Sequence, residues 1–300
     1  MTKTQAWIKA LRLRTLPLSL SGIVLGSFIA KSAEFWDWKV FVFALSTTIL
    51  FQIVSNLAND LGDSIKGTDN NERIGPMRSV QSGLITKKEM RNAVVFTSIL
   101  SFISAAILIY FGTKGFTYAI LWVYVGLAIL CIIAAITYTV GKKAYGYNGL
   151  GDIMVFLFFG IVSVMGVYPL YAKEINWLLL LPASSIGLLS AAVLNLNNMR
   201  DRVNDAKSNK RTLVVMMGAN AAKIYHALLI LLALVCMLIF LSKGTQTTAF
   251  IGLIPFILLL LHVRKVLATK DPKEFDPELK KVALSTFAIS VLTSIGLMIG

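Results

Sequence analysis

KVFVFALSTTILFQIVSNLANDLGDSIKGTD, residues 39–69, decides how the rest of the chain is read. Residues 39–58 are mostly apolar, and at about 1.5 Å per residue such a run spans a bilayer as a helix. Asn59, Asp60 and Asp63 follow without a break, and then Lys66, Gly67, Thr68 and Asp69. Asn59 and Asp63 are four residues apart, so on a helix they share one face. Acids at the end of a membrane span are costly unless a cation or a substrate pairs with them. A second stretch nearly repeats the first: Asn197-Asn198-Met199-Arg200-Asp201, then Asp205, then Lys210-Arg211-Thr212. Asn197, Asp201 and Asp205 fall on one helical face by the same spacing.

The remaining sequence fits a membrane setting. Of its 300 residues 56% are hydrophobic and 15% charged, with a mean hydropathy of +0.74, outside the range of soluble globular domains. Apolar segments fall at 16–33, 39–58, 93–112, 116–138, 152–171, 176–196, 224–242, 247–263 and 282–300. They predict an all-α, polytopic protein of nine transmembrane helices around a central cavity. No Pro/Gly/Ser-rich linker divides it, so residues 1–300 read as one domain. The net charge of +14 does not point to nucleic acid, because the basic residues flank the membrane segments. All but five of the 29 Lys and Arg residues lie at the N-terminus or in alternate connections; the exceptions are Lys31, Lys39, Lys114, Lys173 and Lys243. That alternation predicts a cytoplasmic N-terminus, an external C-terminus and both acid motifs at the cytoplasmic face. The N-terminal Lys3, Lys9, Arg12 and Arg14 precede no small-residue cleavage site, so no cleaved signal is expected. Cys131 and Cys236 sit in apolar runs as inert thiols, and His226 and His262 read as isolated residues with a packing or interfacial role.

Two such acid faces converging would offer several hard oxygen donors, the set that Mg²⁺ prefers while it keeps sites for water and phosphate oxygens. The neighbouring cations suit a diphosphate: Lys66, Arg73 and Arg78 after the first motif, and Arg200, Arg202, Lys207, Lys210 and Arg211 around the second. Arg200 equally suits an ion pair with Asp205 or Asp63. Asp60 points about 100° away from Asn59 on a helix and reads as a solvated acid or one that supports the ligands from behind. Asp69 lies past Gly67, where the helix should end, within reach to curl back as a ligand. Mg²⁺ and a diphosphate inside a membrane imply a lipid diphosphate as substrate. An allylic one would leave a carbocation-like prenyl group, which aromatic ring faces stabilise. Phe156, Phe158, Phe159, Tyr138, Trp122 and Tyr124 are the material at hand.

These residues resemble the UbiA superfamily of intramembrane aromatic prenyltransferases, proteins of nine helices. Its first motif, Asn-x-x-x-Asp-x-x-x-Asp, is matched by Asn59 and Asp63, with Gly67 at the third acid and Asp69 two residues later. That variant is similar to the branch acting on 1,4-dihydroxy-2-naphthoate. The second motif, Asp-x-x-x-Asp, is matched by Asp201 and Asp205. Residues 73–83, Gly146-Tyr147-Asn148-Gly149-Leu150-Gly151-Asp152, and Arg12-Leu13-Arg14-Thr15-Leu16-Pro17 extend the likeness. One stretch departs from it: Tyr138-Thr139-Val140-Gly141 stands where the pattern has a Tyr-Pro-Leu-Gly-like sequence.

The resemblance implies a polyprenyl diphosphate donor and a 1,4-dihydroxy-2-naphthoate acceptor. It implies loss of CO₂ and diphosphate, with demethylmenaquinol as product, in a bacterial inner membrane. Mg²⁺ would be bound by Asn59, Asp63, Asp69, Asn197, Asp201 and Asp205. Lys66, Arg73, Arg78, Lys207 and Lys210 would bind the diphosphate. Arg14, Tyr138, Tyr145, Tyr147 and Asp152 would line the acceptor and prenyl cavity. Two rivals remain open: a prenyltransferase for 4-hydroxybenzoate or another aromatic acceptor, and a membrane transporter. The Gly67/Asp69 arrangement counts against 4-hydroxybenzoate. The absence of an acid at any helix centre counts against ion-coupled transport.

Overall fold

In the computed structural model, residues 2–70 and 74–300 are described. Among them nine helices are long and apolar enough to cross a membrane: α1 (Lys3–Ser32), α2 (Trp38–Lys66), α3 (Lys87–Gly112), α4 (Tyr118–Thr137), α5 (Gly151–Ala172), α6 (Trp177–Lys207), α7 (Ala219–Lys243), α8 (Thr247–Ala268) and α9 (Pro272–Ile299). The fold is all-helical and polytopic, as the hydropathy pattern predicts. Outward-facing Phe96, Ile99, Trp122, Ile257 and Leu258 form an apolar surface suited to lipid.

α1 packs on α9 and α5, α2 on α3 and α4, and α6 on α5, α7 and α9. The largest buried apolar cluster runs through α1, α5, α6, α7, α8 and α9. A second one joins the N-terminal half of α1 to α2 and α3 through Ala6, Ala10, Leu57, Leu61, Met90 and Val94.

Three local features position the polar end of the molecule. First, α2 and α6 continue well beyond their apolar segments, so both acid motifs are helical. α2 stops where Gly67 adopts a left-handed φ of 73°, a conformation that glycine takes without a side-chain penalty. Second, α1 breaks at Arg12, whose φ is 49°. The Asn56 amide donates to the freed carbonyl of Leu11 at 2.9 Å. The break sends Arg12 towards α2 and leaves Arg14 and Thr15 on the cavity wall.

Third, α5 widens into a π-helical turn over Phe156–Val162. Its cavity-facing residues are Met154 and Val155, Phe158 and Phe159, Val162 and Ser163, then Gly166 and Val167. A strict four-residue repeat drifts about 40° per turn around an α-helix. The wider turn offsets that drift and keeps the stripe on one wall, a use that fits the frequent placement of such turns at functional sites.

His226 and His262 are not isolated. Their Nε2 atoms lie 2.8 Å apart, and His262 Nδ1 is 2.6 Å from Glu278 Oε2. The cluster ties α7, α8 and α9 together, a pairing invisible to a reading that treats each histidine by its neighbours in sequence. Cys131 and Cys236 are free thiols, and Cys131 lies on the cavity wall.

Candidate active site

A cavity of about 540 Å³ lies between α1, α2, α3, α4, α5, α6 and α9. α2 presents Ala44, Thr47, Thr48, Phe51, Gln52, Ser55, Asn56, Asn59 and Asp63 to it. That is the three-and-four spacing of one helical face, and it carries the wall from apolar depth to an acid rim. α6 does the same through Ser190, Val193, Leu194, Asn197 and Arg200. Asn59 and Asp63 of the first motif therefore meet Asn197 of the second at one end of the cavity, while Asp201 and Asp205 are buried outside its lining. Tyr124, Phe158 and Phe159 line its apolar depth. Trp122 is 68% exposed on the outer surface, and Phe156 packs against Gly187 of α6.

The two motifs are held differently. Asp63 is buried and accepts a hydrogen bond from the Tyr147 hydroxyl at 2.7 Å. That hydroxyl also lies 2.5 Å from Thr68 Oγ1. Burial first, and then the Asp63 charge, push the Tyr147 hydroxyl well above its ordinary pKa, so it remains a neutral donor. Asn59 Oδ1 lies 3.2 Å from Thr139 Oγ1, which also donates to the Ala58 carbonyl at 3.0 Å. Thus the threonine at the departing stretch supports the first motif.

In the second motif Arg200 takes both oxygens of Asp201, at 2.9 and 2.7 Å, and the Asn197 Oδ1 at 2.8 Å. Its other guanidinium nitrogen, Nη1, pairs with Asp276 of α9. The expected partners, Asp205 or Asp63, are not the ones found. Asp205 instead faces Lys210, Nζ to Oδ1 at 3.6 Å. Burial lowers the Lys210 pKa, but the charges of Asp63 and Asp205 outweigh it and hold the pKa above the usual lysine value. Lys210 is a fixed cation shared by the two motifs.

Asp60 is buried rather than solvated. It accepts from Arg12 Nη2 at 2.9 Å and from the Ser79 backbone N–H at 3.2 Å. Arg78 Nη1 approaches Asp60 to 3.6 Å, and its Nε lies 3.7 Å from Asp69. Asp60 thus anchors Arg12 and Arg78, both of which reach the cavity wall.

The other candidate residues fall in three places. Arg14, Tyr138 and Tyr145 line the cavity, the two rings edge-to-face at 5.3 Å. Tyr147 and Asp152 are buried, Asp152 beside Tyr225 of α7. Lys66 Nζ lies 3.8 Å from the Tyr147 ring centre, whereas Lys207 is exposed on the last turn of α6. Arg73 lies outside the described residues.

The sequence reading missed Asn204, whose Nδ2 donates to the Thr68 carbonyl at 2.9 Å and so ties the loop after α2 to α6. Its spacing of seven from Asn197, on the motif's own helical face, was the available signal.

Among the described residues no three carboxylate, imidazole or thiol side chains converge tightly enough to form a ready-made metal cluster. The carboxylates face basic groups or hydroxyls instead. The donor set nevertheless fits Mg²⁺ chemically, being made of carboxylate and amide oxygens. Asp205 Oδ2 and Asn204 Oδ1 are buried there and accept no hydrogen bond among the described residues.

Fold and site together define a multi-pass membrane protein with a cavity that is apolar at depth and charged at its rim. The sequence matches the UbiA prenyltransferase family over residues 19–285, and the chain belongs to that family. It is 42% identical to a 1,4-dihydroxy-2-naphthoate octaprenyltransferase of Haemophilus influenzae, over 99% of this chain and 97% of that protein. A protein of the same name from Escherichia coli is 41% identical over 100% of this chain and 97% of its own length. Two solved structures share the fold. A UbiA homologue from Aeropyrum pernix without ligand has a TM-score of 0.65 at 14% identity, covering 96% of this chain and 98% of that one. A UbiA homologue from Archaeoglobus fulgidus bound to DMAPP and Mg²⁺ has a TM-score of 0.63 at 13% identity, covering 94% and 98%.

Proposed function

We propose that the chain transfers a polyprenyl group from a polyprenyl diphosphate to 1,4-dihydroxy-2-naphthoate, giving demethylmenaquinol, CO₂ and diphosphate. The observation that carries this reading is a cavity with Asn59, Asp63, Asn197, Arg78, Arg200 and Lys210 at one end and an apolar, aromatic wall beyond. The names of the Haemophilus and Escherichia relatives support the acceptor. The Archaeoglobus complex supports a divalent cation.

Asn59, Asp63, Asp69, Asn197, Asp201 and Asp205 would hold Mg²⁺, which when bound supplies positive charge to the diphosphate as its bridging C–O bond breaks. Lys66, Arg73, Arg78, Lys207 and Lys210 bind the diphosphate and take up the charge it gains on leaving. Tyr124, Phe158 and Phe159 keep water from the prenyl chain and present ring faces to the allylic cation. Arg14 meets the naphthoate carboxylate, while Tyr138, Tyr145, Tyr147 and Asp152 orient the ring or the groups around it. The ring carbon bearing the carboxylate forms the new C–C bond. The bond to the carboxylate then breaks, CO₂ leaves, and its electron pair restores the aromatic ring, so no general base is required there. The whole chain acts as one domain, with its N-terminus and both motifs on the cytoplasmic side of a bacterial inner membrane.

The test is to incubate purified protein with Mg²⁺, a short polyprenyl diphosphate and either 1,4-dihydroxy-2-naphthoate or 4-hydroxybenzoate, and to identify products by mass. A prenylated, decarboxylated naphthoquinone that disappears with EDTA is expected. Product from 4-hydroxybenzoate alone would overturn the acceptor, and no product from either would overturn the reaction.

A further inference from the structure

We infer that Asp276, near the start of the last membrane helix, is a positioning residue for the second acid motif. It holds Arg200 and thereby sets how readily Asn197 and Asp201 are given up to a cation. The inference rests on the metal- and diphosphate-dependent reading of the cavity proposed above.

Arg200 is only 2% exposed. A guanidinium so buried needs counter-charge wherever it points, because a buried ion stripped of its partner is strongly destabilising. At rest it is bonded to both Asp201 oxygens and to the Asn197 amide oxygen. These are the oxygens that the motif would offer to a metal ion. A cation reaches them only if the guanidinium lets go, and it can let go only if another carboxylate keeps it company. Asp276 is that carboxylate. It comes from a different helix, lines the cavity and pairs with Nη1, the one guanidinium nitrogen not engaged by Asn197 or Asp201.

The element that carries Asp276 is anchored from behind. Two residues on, Glu278 is fully buried, its Oε2 2.6 Å from His262 Nδ1 and its Oε1 within 2.7 Å of Lys281 and 3.0 Å of Lys265. His262 in turn meets His226 of α7 at 2.8 Å. The N-terminal end of α9 is therefore fixed to α7 and α8 on one side and to Arg200 of α6 on the other.

Removing the Asp276 charge leaves Arg200 dependent on Asp201 alone, so an arriving cation competes against a tighter pair. The test uses the full chain in detergent micelles with no acceptor present. Thermal unfolding is followed as Mg²⁺ is titrated at fixed inorganic pyrophosphate. In D276N the Mg²⁺ midpoint is expected to rise about tenfold, as when a group supporting a metal ligand is lost, and D276E should restore it. A merely structural role would lower the unfolding temperature without Mg²⁺ and leave the midpoint where it was; that result overturns the inference. Should D276N not fold, E278Q leaves the cavity side chains in place and loosens α9 from behind. It should shift the midpoint in the same direction by a smaller factor, and no shift would again overturn the inference. A wild-type protein that shows no Mg²⁺ response at all would instead overturn the reading of the cavity on which the inference stands.

Discussion

At the end of α2, Asp63 and Asn59 rest against hydroxyls, those of Tyr147 and Thr139. At the end of α6, Asp201 and Asp205 rest against Arg200 and Lys210. The spacing of the two motifs is alike, but their resting partners differ in charge. A hydroxyl displaced by a cation remains neutral and finds another acceptor. A displaced guanidinium remains a buried ion and must find another anion. The first motif therefore gives up only neutral hydrogen-bond partners to a metal ion, although it shares the Lys210 charge with the second. The second gives up its oxygens only when something takes over its basic partners, and a diphosphate entering beside Arg200 and Lys210 is suited to do so. Metal and diphosphate should accordingly bind together better than either binds alone.

Substitutions at the two motifs put this contrast to the test. Asp63→Ala and Asp201→Ala should each lower prenyl transfer by at least about 100-fold, the scale of losing a main electrostatic element of a site, with membrane insertion retained. They should part company in stability. Asp201→Ala takes from Arg200 the carboxylate that it bonds through two nitrogens, leaves it Asp276, and should cost about 3 kcal/mol in unfolding measurements in micelles, whereas Asp63→Ala should cost clearly less. Equal losses would erase the distinction. Tyr147→Phe removes the neutral donor from Asp63 and should reduce turnover about tenfold, with only about 1 kcal/mol of stability lost. Thr139→Val should be milder, about 1 kcal/mol or roughly fivefold in turnover. Its effect should appear in the Mg²⁺ dependence, since Asn59 loses its contact and nothing else in the motif moves. Lys207→Ala should be smallest, at most about 1 kcal/mol in the KM for the prenyl diphosphate and weaker still at high salt, because its charge is exposed. A larger loss at Lys207 than at Thr139 would mean that the diphosphate lies further towards the end of α6 than the cavity suggests.

Much of this was legible in the sequence. The apolar segments marked all nine helices, and the four-residue spacing of Asn59 and Asp63 put both on the cavity face. Gly67 marked the end of α2, and a left-handed φ is what the structure has there. The pairing of the charges was not legible. Arg200 sits beside Asp201 in sequence, but its second acid, Asp276, comes from α9, and only the packing of α9 against α6 joins them. His226, His262 and Glu278 each look unremarked in an apolar or basic context, because a cluster drawn from three helices leaves no local pattern. For Asp60 the sequence leaves a solvated acid and a supporting one open, because helical geometry says which way a side chain points but not that Arg12 and Arg78 wait there. The π-helical turn in α5 has no propensity signal at all. It answers the demand that a four-residue stripe stay on one wall.

The most direct measurement follows the carboxylate carbon. With ¹³C in the carboxylate of 1,4-dihydroxy-2-naphthoate, labelled CO₂, pyrophosphate and prenylated product should be counted together in one reaction with Mg²⁺. The account predicts one of each per turnover, and none of the three in EDTA. Pyrophosphate released without CO₂, or a prenylated product that retains the label, would contradict it.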